Sequence, residues 1–381
     1  MDFELNEEQR LVRDMVRDLA QNEIAPRAAE VDKSEQFPAE NVRRLGELGL
    51  LGLPFSERYG GGGGDNLSYA IAVEEVARAC GSTALIFAAH VSLGTAPIHN
   101  FGSEEQKQEW LPRLCSGQGL GAFGLTEPEA GSDAGATRTV AVRDGDSYVL
   151  NGSKMWITSG AIADVVNCTA KTDPAAGTRG ISCFLVEKGT PGFNPGKNEP
   201  KMGLKGSVTS ALSLENCRVP ASSMLGKEGE GFRQMLVTLD GGRISIGAMA
   251  LGLAQAALDQ AAAYSKQRVQ FGQSIAHFQA VQWMIADMAT EIDAARLMVY
   301  RAAAMEDAGV RFTKEAAMAK LFASEVAERA AFKAVQIHGG YGYSREYPVE
   351  RIYRDQRLCT IGEGTSEIQR LVIARQVLGV L

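Results

Sequence analysis

Between Leu120 and Leu214 the chain runs through short apolar or alternating stretches with no helical period among them, and on both sides of that block apolar residues recur at helical spacing. That order constrains the fold more than any other feature. Strands that follow one another without intervening helices cannot build the alternating βαβ units of a doubly wound sheet, so a Rossmann-type domain is excluded. The strand candidates are Leu120–Leu125, Thr139–Arg143, Tyr148–Thr158, Val165–Thr169, Ile181–Val186 and Leu212–Leu214. Turn signals separate them, among them Asp144-Gly145, Asn151-Gly152 and Thr190-Pro191-Gly192. They predict an antiparallel β domain, a small barrel or sandwich.

The flanks predict helices. Asn6-Glu7-Glu8-Gln9 resembles a capping box, with Val12, Met15, Val16 and Leu19 following at helical spacing. Pro38 opens a second helix and Gly49 closes it. Helices are expected over 66–80 and 82–100, and Ser103-x-x-Gln106 caps another that ends near Cys115. From Phe232 onward the long Ala-rich stretches 243–268, 278–308 and 313–336 suit an antiparallel bundle. Ser366-x-x-Gln369 marks the start of a last helix. The reading is an α+β chain, mostly α, with a helical domain over 1–119, a β domain over 120–231 and a helical bundle over 232–381.

Several classes drop out. A net charge of −7 without a lysine or arginine block disfavours nucleic acid and anionic membrane as partners. No apolar run looks long enough to span a bilayer, and Met1-Asp2-Phe3-Glu4 lacks a signal pattern, which points to a cytoplasmic protein, or to a mitochondrial matrix one if the chain is a processed form. Cys80, Cys115, Cys168, Cys183, Cys217 and Cys359 form no C-x-x-C pair, and four histidines are scattered, so reduced thiols are expected rather than disulfides or a metal site. Gly60–Gly64 lacks the Lys-Ser/Thr of a phosphate loop and is read as a flexible connection. Gly340-Tyr341-Gly342 follows a helix and is not a dinucleotide fingerprint.

Three runs stand out: Leu125-Thr126-Glu127-Pro128-Glu129-Ala130-Gly131-Ser132-Asp133-Ala134-Gly135, Lys154-Met155-Trp156-Ile157-Thr158-Ser159-Gly160, and Ile361-Gly362-Glu363-Gly364-Thr365-Ser366. Each alone reads as a capped turn, a strand end, or a helix-leading turn with a solvated Glu. In this order and spacing they resemble the acyl-CoA dehydrogenase family, and the resemblance covers essentially the whole chain. Gln336 through Glu350, with Glu363 through Gln369, looks like a second family signature beside the first run.

The resemblance implies an N-terminal helical domain, a middle β domain and a C-terminal four-helix bundle. It implies FAD between the last two, with a neighbouring subunit completing the site in a homotetramer built as a dimer of dimers. Carried over residue by residue, Phe123, Leu125, Thr126, Gly131 and Ser132 lie beside the flavin, and Trp156, Ile157 and Thr158 form its second contact. Arg268, Gln270 and Phe271 hold the ADP part across the dimer interface. Phe278, Gln279, Gln336, Gly339, Gly340, Thr365 and Glu367 match further FAD positions. Ser132, Asp240, Arg243 and Gly364 match acyl-CoA positions.

In such a family Glu363 takes the α proton of an acyl thioester while the β hydride passes to flavin N5 and onward to electron-transferring flavoprotein. The thioester carbonyl must be polarised as enolate character develops. Some members place the base near Arg243, but Gly241 and Gly242 offer no carboxylate there, which leaves Glu363. Gly362 departs from many relatives, which carry Tyr. With Gly242 it would give room for branched acyl groups, unless Tyr341, Phe87 or another ring fills the space, and chain length would depend on residues near Leu85, Ile86 and Ala89. An acyl-CoA oxidase, a carrier-protein-linked dehydrogenase, a DNA-binding flavoprotein and a homologue with a dead site stay open at this point.

Overall fold

Asn6 opens the first helix, α1 (Glu7–Leu19). Its side chain accepts from the Gln9 N–H at 2.8 Å while Gln9 Oε1 accepts from Asn6 N–H at 3.0 Å, the capping box the sequence predicts. The computed structural model describes residues 4–380; Met1–Phe3, the start of the stretch without a signal pattern, and Leu381 lie outside them. The helices α2 (Ala28–Ser34), α3 (Ala39–Glu47), α4 (Asn66–Ala79), α5 (Gly81–Ala89), α6 (Ala96–Phe101) and α7 (Glu104–Cys115) follow. The helix that Pro38 opens is therefore the third, not the second.

The helix expected over 82–100 is broken by a π-helical turn, His90–Thr95. Such a bulge inserts an extra residue and re-aims the side chains that follow. Beyond it Gly94 meets Gly121 backbone to backbone, leaving no space for a Cβ on either. Asn167 Nδ2 stitches the same seam, donating to the carbonyls of Leu93, Gly94 and Ala122 at 3.1, 2.8 and 3.1 Å. The glycine run is not a loose loop either. The Gly62, Gly63 and Gly64 N–H groups donate to Gly52, Phe55 and Leu53, and a Cβ on Gly61 would overlap the Phe55 carbonyl.

The middle of the chain forms β1 (Gly121–Gly124), β2 (Val140–Asp144), β3 (Ser147–Thr158), β4 (Val165–Lys171), β5 (Ile181–Glu187), β6 (Phe193–Asn198), β7 (Thr209–Pro220) and β8 (Met224–Leu225). The path is β6-β7-β3-β2-β4-β5-β8, with β1 beside β4. The sheet is mixed rather than antiparallel, because β1 and β2 each run parallel to β4. The long excursion between them supplies the crossover that parallel pairing needs. β6 escapes sequence reading because only Phe193 of its six residues is buried. Side chains of β4 and β5 alternate between two cores: Val165, Cys183 and Leu185 join the helical core, while Val166, Cys168, Phe184 and Val186 join the sheet's own.

The last part holds α8 (Gly231–Gln267), the hairpin β9 (Val269–Gln270) and β10 (Gln273–Ser274), then α9 (Gln279–Asp307), α10 (Thr313–His338), α11 (Val349–Asp355) and α12 (Ser366–Leu378). α8 starts twelve residues earlier than the 243 expected, running straight through Gly241 and Gly242. The cap of α12 is Thr365, whose hydroxyl accepts from Ile368 N–H; Ser366 is already helical. By length and composition two helical stretches, 81–101 and 231–267, are apolar enough to cross a membrane, contrary to the sequence reading. Both are core elements, with 89% and 72% of their most apolar windows buried.

Candidate active site

The turn between Thr360 and α12 brings Glu363 back over α8. Ile361 and Gly362 N–H both donate to the Leu358 carbonyl at 2.8 Å. The chain then takes two left-handed steps, Glu363 at φ 54° and Gly364 at φ 96°. Glycine adopts this readily, but a glutamate held there costs about 1–3 kcal/mol, which other contacts must offset. Lys320 Nζ donates to the Gly364 carbonyl at 2.6 Å, and Gln369 Nε2 donates to the Glu363 and Gly364 carbonyls at 3.2 and 2.9 Å. Lys320 and Gln369 are both fully buried.

The Glu363 carboxylate is not solvated. Oε2 is shielded from solvent and has no hydrogen-bond partner among the described residues, although the residue's outer edge is half-open. Burial pushes the carboxyl up to about 7, with Lys320 and Arg243 pulling the other way. Oε2 occupies the space over Gly242, where a Cβ would overlap it. The space over Gly242 is thus taken by the carboxylate. Leu358 stands against Gly362, its Cγ 3.5 Å from where a Cβ would lie; Tyr341 lines a separate concavity, and Phe87 packs on Tyr69. Because the overlapping atom ends a flexible side chain, Gly242→Ala should displace the carboxylate rather than unfold α8. The expected result is a roughly 100-fold lower turnover, as for a small misplacement of a reacting group, with the melting temperature unchanged.

Around this group lie a buried ion pair and several hydroxyls. Arg243 Nη1 donates to Asp240 at 2.5 Å, and Thr313 Oγ1 donates to the other Asp240 oxygen at 2.6 Å. Arg243 Nε is buried without a partner. Ser245 Oγ lies 2.9 Å from the Gly242 carbonyl and 3.2 Å from Ser92 Oγ, and Tyr69 donates to the Ala88 carbonyl. Leu85, Ile86 and Ala89, on the neighbouring α5, are buried. Glu306, which sequence reading missed, packs beside Gly241; burial pushes its carboxyl to about 7, with Asp307 and Asp240 adding to the effect.

A second feature lies on the sheet. β3 is bulged against β7 between Lys154 and Ile157, which turns Trp156 (φ 62°) outward and leaves it 57% exposed. Met155 N–H donates to the Thr126 carbonyl at 2.9 Å, so the first and second motif runs meet here. Behind them Lys154, with no exposure at all, donates to Glu127 at 2.7 Å. Glu127 also accepts from Thr137 Oγ1 and from the Arg138 and Thr139 N–H groups. Burial opposes its ionisation, but Lys154 and these donors hold the carboxyl down at about 2. Glu127 belongs to a motif run, but nothing in its spacing names Lys154 as its partner. Ile157 and Leu125 are buried, Phe123, Thr126 and Thr158 partly so, and Gly131 and Ser132 are open.

The third feature is a concavity of about 630 Å³ lined by Arg268, Gln270, His338, Gly339, Gly340 and Tyr341, among others. Arg268 lies over the Tyr341 ring. His338 Nδ1 bonds the Ala334 carbonyl, and its buried Nε2 has no partner among the described residues. A Cβ on Gly339 or Gly340 would meet nothing within 4 Å, so the backbone is open to close approach. A cation, an unsatisfied imidazole nitrogen, aromatic walls and bare backbone fit an adenosine diphosphate group, and the open Trp156 face fits a planar ring. The residues present thus suit FAD. Phe271 (φ 51°) and Gly272 form the two-residue turn of the β9–β10 hairpin, and Phe271 is 94% exposed, touching Phe278. Gln279 and Gln336 are exposed, and Glu367 lies on the first turn of α12.

Family models described as the N-terminal, middle and C-terminal domains of acyl-CoA dehydrogenase match residues 6–118, 122–217 and 229–378. The chain is 53% identical to the short-chain-specific acyl-CoA dehydrogenase of Clostridium acetobutylicum, covering 99% of this chain and all of that one. Among solved structures it resembles butyryl-CoA dehydrogenase from Megasphaera elsdenii, with 47% identity, a TM-score of 0.97 and coverage of 99% and 100%. It also resembles a chain from work described as the electron transferring flavoprotein of Acidaminococcus fermentans, with 49% identity, a TM-score of 0.98 and the same coverage.

Proposed function

Because this chain belongs to the acyl-CoA dehydrogenase family of FAD-dependent oxidoreductases, we propose that it desaturates a short, straight-chain acyl-CoA at Cα–Cβ, with Glu363 as the base. The observation that carries this is the Glu363 carboxylate: its Oε2 is buried and, among the described residues, without a hydrogen-bond partner, and burial brings its proton affinity near neutrality. A general base works best when its pKa lies close to the working pH. FAD, when bound, would supply the acceptor for the hydride lost from Cβ; Thr126, Trp156 and Thr158 would hold its ring, and Arg268 and Gln270, with Gly339 and Gly340, would hold an adenosine diphosphate part across the dimer interface.

The chain's own residues do the rest. Glu363 Oε2 takes the α proton, and the Glu363 N–H polarises the thioester carbonyl as charge develops on it. Asp240 and Arg243 meet the CoA side. Two observations support assembly from several copies, a dimer of dimers: Phe271 stands free on its hairpin, and α9 leaves Trp283 and Leu297 exposed. The exposed hairpin would complete a partner's FAD site. Electrons would pass to electron-transferring flavoprotein, the protein named in the work that describes the similar Acidaminococcus fermentans chain.

Anaerobic bleaching of the purified flavoprotein tests the reading. Butyryl-CoA should bleach it fastest, octanoyl-CoA and isobutyryl-CoA more slowly. Faster bleaching by isobutyryl-CoA would remove the straight-chain assignment, and no bleaching by any acyl-CoA would remove the reaction.

A further inference from the structure

Lys320 and Gln369 come from different helices, α10 and α12, yet their side chains converge on two adjacent carbonyls, those of Glu363 and Gly364. A lysine with no exposed surface is expensive to bury and persists where it has a specific partner. Its ammonium points at a neutral carbonyl rather than at a carboxylate among the described residues. Gly247 on α8 faces α10 here at ordinary contact distance, the place of a Cβ lying 3.6 Å from Lys320 Cα. The clamped peptide is the one whose left-handed turn places Oε2 over Gly242. The Glu363 N–H has no acceptor among the described residues.

We propose that Lys320 and Gln369 are positioning residues for the base: they pin the carbonyl side of residues 363–364, which keeps Glu363 in its left-handed conformation, its carboxylate over Gly242 and its N–H free for the substrate carbonyl. This rests on Glu363 being the base. The two differ in one respect, since Lys320 also brings charge. Glu363 is faced by Lys320 from α10, Arg243 from α8 and Tyr69 from α4; Lys320 itself is faced also by Cys359 and Glu367. Burial pushes Lys320 down to about 8, so it stays charged at neutral pH and helps keep Glu363 ionised.

The test compares Lys320→Met and Gln369→Leu in the FAD-loaded enzyme with butyryl-CoA. Both should reduce the flavin on the order of 100-fold more slowly, the usual cost of a small displacement at a reacting centre, with half-saturation unchanged. Hydrogen exchange over 361–369 should quicken in both. In Lys320→Met alone the acidic limb of the rate profile should move to higher pH, because a charge favouring the carboxylate is gone. A wild-type rate with unchanged exchange in either variant overturns the inference, as does an unmoved limb in Lys320→Met. If Lys320→Met does not fold, Gln369→Leu decides by rate and exchange alone. Failure of the base assignment is separate: it would show as turnover in Glu363→Gln, whatever these two variants do.

Discussion

Glu363→Gln yields a folded protein that keeps FAD and binds acyl-CoA but is reduced by it on the order of 10³-fold more slowly, the usual contribution of a positioned general base. The amide is nearly isosteric and fits the space over Gly242 that Oε2 fills. It cannot accept a proton from carbon at any working pH. The wild-type rate should rise tenfold per pH unit below about 7 and level off above it, because burial holds the carboxyl near that value and only the ionised form is a base. Stopped-flow reduction across pH measures both. A Glu363→Gln protein that is reduced at near-wild-type speed, or a wild-type limb centred near the ordinary glutamate value of 4.5, would remove the assignment.

Glu127→Gln has the larger effect on stability. Lys154 has no exposed surface and Glu127 is 5% exposed, so the substitution leaves a buried ammonium without its counter-charge. Breaking such a pair from one side costs about 3–5 kcal/mol. The Thr126–Ser132 loop is tied to the sheet through the same carboxylate, so FAD should be released more readily as well. The double change Glu127→Gln with Lys154→Met should recover much of the stability, because it removes both charges. The pH dependence has a definite sign. Glu127 is held at about 2 against an ordinary 4.5, so its contribution is present above 4.5 and is lost as pH falls toward 2. The variant's stability should be flatter in that window. Thermal melts and flavin release decide it: a Glu127→Gln protein that melts like wild type and keeps its FAD would show that the pair does not hold the loop.

What could be read from the sequence followed from local physics. Asn6 and Ser103 announce their helices because a capping box is complete within four residues. The order of helical and strand blocks follows from periodicity alone. The parallel pairing of β1 with β4 was hidden, because the partners are more than forty residues apart and neither strand's pattern names its neighbour. The start of α8 was misplaced for a local reason: two glycines in a row argue against a helix interior. They are kept because Glu306 and Glu363 pack on them. Glu363 was found by its motif, not by its surroundings, and the motif suggested a solvated carboxylate where the fold buries one. Lys320 left one faint signal, a single lysine in the stripe of Ala316, Ala319, Ala323 and Ala327, all fully buried.

The meeting of Gly94 and Gly121 bears on how such an enzyme can diverge. Leu93, one residue from that contact, packs at Gly242 beside the base, and β1 leads straight into the loop that Glu127 secures. With no side chain between the two backbones, neither strand nor turn can drift without the other. The packing of Leu93 at Gly242 and the loop that Glu127 secures are thus coupled through a single contact of two backbones, which any change on one side transmits to the other.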